Sequence, residues 1–100
     1  MPFTRVGSLG TLPEGEILEA EVAGKPYAVC NVDGELHAVV GVCPHRGGPL
    51  GQGALHGSTL VCPWHGWEFD CRTGENVVGG AGATKVGLKV DGDDILIDVP

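Results

Sequence analysis

The chain has 100 residues, including 18 glycines and 7 prolines, and its formal net charge at pH 7 is −7. A chain of this length forms one domain, here residues 1–100, and an apolar fraction of 42% excludes a disordered or collagen-like chain. Its 6 Lys and Arg residues form no cluster of the kind that binds nucleic acid, so the acidic balance favours a positively charged protein partner instead.

The first residues lack the basic start and the long apolar run of a signal peptide, and no stretch of the sequence reaches the length of a membrane span. Without an export signal, the 4 cysteines are expected to be metal ligands or free thiols rather than a disulfide framework. We therefore predict a cytoplasmic protein that does not bind a membrane.

Short apolar runs bounded by turn residues follow one another along the chain and are typical of β-strands. They lie at residues 16–22, 27–32, 36–40, 85–90 and 95–99. Asp33-Gly34 predicts a hairpin turn between the second and third runs, and residues 91–94 predict another between the last two. Since no segment keeps a helical period for three turns, the sequence predicts an all-β fold.

A different kind of segment lies between the two hairpins, at approximately residues 42–76. It contains both tryptophans, three of the four histidines and three of the four cysteines. Short strands are expected at residues 59–61 and 67–70, with a turn at residues 72–74. We interpret this segment as a small lobe inserted into a β-scaffold, to which the glycine-rich residues 79–83 return the chain.

Two spaced pairs in this lobe, Cys43-x-His45 and Cys62-x-x-His65, carry the chemistry. Thiolate sulfur suits iron–sulfur clusters and zinc, and imidazole suits iron and zinc. A mononuclear zinc site usually takes its ligands in Cys-x-x-Cys or His-x₃₋₅-His pairs, so this spacing favours a two-metal object reached from two loops. The alternative, from a different class of protein, is a module that binds zinc for a purely structural purpose.

Residues 43–50 and 62–70 closely resemble the two ligand boxes of Rieske proteins, and the match continues through Arg72-Thr73-Gly74. The order of the flanking hairpins also fits, so the resemblance covers most of the chain. It implies a Rieske-type antiparallel β-sandwich with a small inserted cluster-binding subdomain.

The resemblance also implies one Rieske-type [2Fe–2S] cluster as the cofactor. Cys43 and Cys62 would bind one iron through sulfur, and His45 and His65 would bind the other through a ring nitrogen. Replacing two thiolates by neutral imidazoles leaves the cluster less negative and raises its reduction potential, which in Rieske centres spans about −150 to +300 mV.

Four neighbouring residues separate the chain from the respiratory cytochrome bc branch of the family. Gly48 and Trp64 stand where that branch has a cysteine pair that forms a disulfide. Trp67 and Phe69 stand where it has a serine and a tyrosine that donate hydrogen bonds to the cluster. Fewer donors stabilise the reduced state less, so we predict a potential near the bottom of the range of about −150 to +300 mV.

The resemblance implies a soluble one-electron carrier, a Rieske ferredoxin like that of aromatic-ring dioxygenases, rather than an enzyme. It would take electrons from a flavin-dependent reductase and pass them to a terminal oxygenase by transient docking at the cluster tip. The alternative is the small Rieske subunit of an assimilatory nitrite reductase. A fragment of a Rieske oxygenase is disfavoured, because only His37 and His56 are left for the mononuclear iron of such an enzyme.

The other side chains near the boxes carry weaker expectations. Trp64 fits a docking face and loop packing equally well, whereas Trp67 and Phe69 are expected to pack in the core. Cys30 is predicted to be a buried small apolar residue, and Cys71 an exposed thiol open to oxidation. A disulfide between these two cysteines is disfavoured without an oxidising compartment.

Overall fold

The computed structural model describes residues 3–44, 47–64, 66–77 and 79–98, and these form nine β-strands and two single-turn 3-10 helices. The strands are β1 (Phe3–Ser8), β2 (Ile17–Val22), β3 (Lys25–Val32), β4 (Glu35–Val40), β5 (Ala54–His56), β6 (Thr59–Val61), β7 (Glu68–Asp70), β8 (Lys85–Asp91) and β9 (Asp94–Asp98). The 3-10 helices are Leu9–Thr11 and Leu50–Gln52. The predicted all-β fold is confirmed, and no helix in the described ranges could cross a membrane.

The strands form two antiparallel sheets, one with six strands in the order β1-β9-β8-β4-β3-β2 and one with three in the order β5-β6-β7. The two halves of the larger sheet are joined through the pairs Ala38–Val86 and Val39–Lys85 of β4 and β8. Its outer strands β1 and β2 approach each other closely, since a Cβ on Gly7 would lie 2.7 Å from Cδ2 of Leu18. The larger sheet is therefore curled into a scaffold, and the smaller sheet is the core of the inserted lobe.

Strand β3 has a buried side chain on both of its faces, because successive residues of a strand point to opposite sides. Tyr27 and Val29 belong to the scaffold core, together with Leu12, Ala38, Ile95 and Ile97. Ala28, Cys30 and Val32 belong to a second core, with Val39, Cys43, Leu50, Leu60, Cys62, Phe69 and Cys71. This second core fixes the lobe onto the scaffold.

The hairpin predicted around Asp33-Gly34 is confirmed. Both residues have positive φ, 53° and 90°, which is the conformation of a type I′ turn. Asn31 is buried at the base of this turn, where its side-chain oxygen accepts from the Gly34 N–H at 2.8 Å and its amide donates to the Leu12 carbonyl at 2.9 Å. The turn is thus tied to the loop that precedes β2.

The ends of most predicted strands differ from those in the structure by one or two residues, and two strands of the structure have no predicted counterpart. Strands β1 and β5 were not predicted, and His56, expected in a loop, ends β5. The strand predicted from residue 67 begins at Glu68. Residue 99, the predicted end of the last strand, lies outside the described residues.

Candidate metal centre

The second ligand box forms the tip of the hairpin made by β6 and β7. The last residue pair of this hairpin is Val61 with Glu68. Beyond it, the Cys62 N–H donates to the Trp67 carbonyl at 2.7 Å. Cys62 is therefore held at the base of a narrow tip.

The first ligand box has the same construction. Val42 and Pro49 form an isolated β-bridge, and beyond it the Cys43 N–H donates to the Gly48 carbonyl at 2.8 Å. The loop turns back at Gly47, whose φ of 75° favours glycine and whose N–H donates to the Cys43 carbonyl at 2.8 Å. Each box therefore places its cysteine directly after the last paired residue of its loop.

The two cysteines meet where these loops lie side by side. Both are 1% exposed, and their side chains are within hydrogen-bonding reach of each other. The backbone N–H of Trp64 donates to Sγ of Cys62 at 3.4 Å. Burial raises the pKa of the Cys62 thiol and the neighbouring Cys43 raises it further, while the Trp64 N–H acts in the opposite direction.

The close contact between the loops depends on the absence of a side chain at Gly48. A Cβ there would lie 2.8 Å from Sγ of Cys62 and 3.1 Å from Cγ of Trp64. Two adjacent buried thiols, with a backbone N–H directed at one of them, fit the cysteine-bound half of a Rieske cluster. Trp64, two residues beyond Cys62, is 49% exposed, so a buried sulfur lies beside an exposed aromatic side chain.

His45 and His65, the other two predicted ligands, lie outside the described residues. Within the ranges that the structure describes, no group of three or more His, Cys, Asp and Glu side chains could hold a metal ion. The whole ligand set therefore stays a prediction, of which the described residues show only that its two cysteines are buried and adjacent.

The sequence predicts the burial of only one of the two cysteines outside the ligand boxes correctly. Cys30 is fully buried, which confirms its prediction. Cys71 is 1% exposed, so the expectation of an exposed thiol is wrong. It follows β7, its N–H donates to the Ser58 carbonyl at 2.8 Å, and its side chain points into the core between lobe and scaffold.

The aromatic and histidine side chains near the boxes divide between the core and the surface. Phe69 is buried, and Trp67 packs partly buried against the same core with its ring centroid 6.4 Å from that of Phe69. His37 contacts Glu35 at 2.5 Å, whereas His56 is exposed at the end of β5. The core role predicted for Phe69 is therefore confirmed.

This chain is similar in sequence to known proteins over most of its length. The model of the Rieske [2Fe-2S] domain family matches residues 3–91. The chain is 36% identical over 102 residues to the ferredoxin component of biphenyl 2,3-dioxygenase from Rhodococcus jostii (strain RHA1), which covers 99% of this chain and 94% of that protein. It is 32% identical over 96 residues to the ferredoxin component of the naphthalene 1,2-dioxygenase system from Pseudomonas aeruginosa, with 92% and 90% covered.

Solved structures show the same fold. The ferredoxin of carbazole 1,9a-dioxygenase from Nocardioides aromaticivorans IC177 superposes with a TM-score of 0.87 and 28% identity, over 97% of both chains. A chain from the complex of reduced oxygenase and oxidised ferredoxin in carbazole 1,9a-dioxygenase gives 0.88 and 23% identity, over 95% of this chain and 91% of that one.

This chain belongs to the Rieske [2Fe-2S] domain family. Its cofactor is one Rieske-type [2Fe–2S] cluster. It is a ferredoxin, an electron-transfer protein rather than an enzyme, as its near full-length relatives are. These findings do not favour a zinc module or a nitrite reductase subunit.

Proposed function

We propose that this chain is the ferredoxin component of an aromatic-ring dioxygenase system in the cytoplasm. It takes one electron at a time from a flavin-dependent reductase and passes it to a terminal oxygenase, and it contacts neither nucleic acid nor a membrane. Relatives with this role match over almost their whole length, 94% and 90%. The net charge of −7 suits attraction to positively charged docking sites on both partners.

We propose further that Cys43 and Cys62 bind one iron and that His45 and His65 bind the other. The two buried thiols lie side by side at equivalent places in their loops, and each loop contributes its predicted histidine two or three residues further on. When bound, the cluster accepts and releases one electron. Residues 1–100 then form one Rieske domain, with approximately residues 42–76 as its cluster-binding lobe.

The observation that carries this function is the exposed apolar surface at the ends of both ligand loops. It consists of Val42, Pro44, Pro63 and Trp64, which we call the tip surface, and all four residues are exposed. Trp64 and Val42 expose 49% and 40% of their surfaces, while Cys62 and Cys43 beside them are buried. A small apolar surface next to a redox site suits a partner that binds briefly, since weak redox complexes bury little area.

The function is tested by anaerobic rapid mixing of the cluster-loaded chain with its partners. A flavin-dependent reductase and a reduced pyridine nucleotide should bleach the visible absorbance of the chain, and an oxidised terminal oxygenase should restore it without added oxygen. Trp64→Ala tests the contribution of the tip surface. Val90→Ala is its control, because it removes an exposed apolar side chain from scaffold strand β8. If terminal oxygenases leave the reduced chain unoxidised, the proposed function is wrong.

A further inference from the structure

A second pair of cysteines, separate from the ligand boxes, meets in the core between lobe and scaffold. Cys30 lies in β3 of the scaffold and Cys71 directly follows β7 of the lobe. They are 0% and 1% exposed, both belong to the second core, and their side chains are within hydrogen-bonding reach of each other. Both are free thiols.

The position of this pair in the chain gives it a structural meaning. The segment from Cys30 to Cys71 contains both ligand boxes, from Cys43 to His65. A covalent bond between the two sulfur atoms would therefore close a ring of backbone around the whole ligand set. It would also join β3 to the lobe at the end opposite the tip of the β6–β7 hairpin.

The surroundings of the pair make its two members chemically unequal. The Lys85 ammonium group donates to the Cys71 carbonyl at 3.2 Å and lies 3.2 Å from Nδ1 of His37, whose Nε2 is 2.5 Å from Oε1 of Glu35. The hydrogen bond from Cys30 lowers the pKa of Cys71, and Lys85 lowers it further, against the effects of burial and of the Asp70 carboxylate.

The same hydrogen bond raises the pKa of Cys30, and burial adds to this effect. The Lys85 ammonium group lies against the Cys71 backbone, 3.2 Å from its carbonyl oxygen, so its positive charge favours a thiolate at Cys71. A thiolate next to a second thiol is the arrangement in which oxidation ends in a disulfide rather than in higher oxides.

We propose that Cys30 and Cys71 form a reversible disulfide when the protein meets a peroxide. The Cys71 thiolate attacks one oxygen of hydrogen peroxide, the O–O bond breaks, and a sulfenic acid and hydroxide form. The Cys30 thiol then attacks the sulfenic sulfur, the S–S bond forms, and water leaves. The sum is two thiols and one peroxide converted to one disulfide and two waters, with sulfur oxidised and peroxide oxygen reduced.

The disulfide would fasten the lobe to the scaffold while the cluster is under oxidative conditions. A reducing cytoplasm keeps the pair as thiols, and a small thiol reductant returns them to that state. Because both sulfur atoms are buried, oxidation proceeds through local opening of the lobe–scaffold contact and is slower than that of an exposed thiol.

Peptide mapping of the cluster-loaded protein tests the proposal. The protein is treated with hydrogen peroxide, its remaining thiols are alkylated under denaturing conditions, and it is cleaved after glutamate. The sequence then gives residues 22–35 with Cys30 alone and residues 69–75 with Cys71 alone, while Cys43 and Cys62 share residues 36–68. We expect the first two peptides to appear joined, and to separate after reduction with dithiothreitol.

This cleavage pattern separates the proposed bond from damage at the metal centre. Oxidation of the two ligand cysteines would leave a link inside residues 36–68, not between two peptides. As matched controls, Cys30→Ala should leave Cys71 to form a sulfenic or higher acid, and Cys71→Ser should leave Cys30 alkylated. If peroxide removes the cluster while both peptides are recovered separately and alkylated, the proposal is wrong.

The effect of the disulfide on the attachment of the lobe to the scaffold is measured separately. The rate at which an iron chelator removes the cluster is compared before and after peroxide treatment, and again after reduction. We expect slower loss from the joined form and recovery of the original rate on reduction. An unchanged rate in a fully joined sample would show that the bond does not fasten the lobe.

Discussion

The backbone N–H of Trp64 donates a hydrogen bond to the sulfur of Cys62 at 3.4 Å, while the side chain of the same residue is 49% exposed. One residue thus contacts a buried thiol, which we propose as an iron ligand, with its backbone and the solvent with its indole ring. This arrangement places a buried sulfur next to the tip surface, which we propose as the docking site of a partner. It links the metal centre to the electron-transfer role.

Replacing a ligand cysteine should abolish cluster binding. Cys62→Ser exchanges a soft thiolate for a hard hydroxyl that suits iron–sulfur clusters poorly, so iron content and visible absorbance should both be lost. Cys30→Ala removes an equally buried thiol that lies outside the boxes and should keep its full iron content. Iron analysis of both purified variants checks this, and normal iron in Cys62→Ser would remove Cys62 from the ligand set.

A side chain at Gly48 should interfere with the contact between the two ligand loops. In Gly48→Ala the new Cβ would lie 2.8 Å from Sγ of Cys62, so the loops must separate to accommodate it. We expect incomplete iron loading and faster loss of the cluster to a chelator. Gly10→Ala is the matched control, since nothing lies within 4 Å of a Cβ at that position. Equal cluster loss in the two variants would contradict this account of Gly48.

Removing the indole of Trp64 should weaken partner docking and leave the cluster intact. Trp64→Ala keeps the backbone N–H, so the electron paramagnetic resonance (EPR) spectrum of the reduced protein should be unchanged. Loss of a central aromatic contact of about 1.4 kcal/mol corresponds to about tenfold weaker binding of the terminal oxygenase. Titration of the oxygenase measures this, with Val90→Ala as the control that keeps full affinity. Equal affinities for both variants would exclude Trp64 from the interface.

The reduction potential should lie near the bottom of the Rieske range. Phe69 is buried in the same core as Cys43 and Cys62, the proposed ligands, and has no hydroxyl to donate to the cluster. Rieske centres span about −150 to +300 mV, and protein-film voltammetry of this protein should give a reduction potential well below about +100 mV. A potential above that limit would contradict the prediction.

Phe69→Tyr tests the cause of this low potential. A new hydrogen bond of about 1 kcal/mol to the reduced state would raise a one-electron potential by about 40 mV. The same voltammetry measures the change, with wild-type protein as the reference. If the potential is unchanged although the reduced variant retains its cluster, the missing hydroxyl is not what sets the potential.

The hairpins are predicted correctly because their turns and strands depend on residues that are close together in the sequence. Asp33-Gly34 supplies the two positive φ angles of a type I′ turn, and the runs around it are apolar enough to define both strands. Strand β1 was missed since Arg5 and Gly7 interrupt its apolar pattern, and its partner is β9, at the other end of the chain. Strand β5 is only three residues long and forms because β6 lies beside it.

The metal centre was only partly visible in the sequence for a similar reason. The spacing of the two boxes predicts the ligand types, but the contact of Gly48 with Cys62 arises from two loops that meet only in the folded chain. Cys71 was predicted to be exposed because a turn follows it. Its burial against Cys30 depends on how the lobe packs on β3, and the sequence around Cys71 does not predict this packing.

The most direct test of the central claim, that two cysteines and two histidines hold one [2Fe–2S] cluster, is EPR spectroscopy of the dithionite-reduced protein. We predict a rhombic signal with an average g below that of clusters held by four thiolates, with nitrogen couplings from two imidazoles in pulsed spectra. His65→Ala should lose this signal together with its iron. A spectrum with the average g of an all-thiolate cluster and no nitrogen coupling would contradict the account.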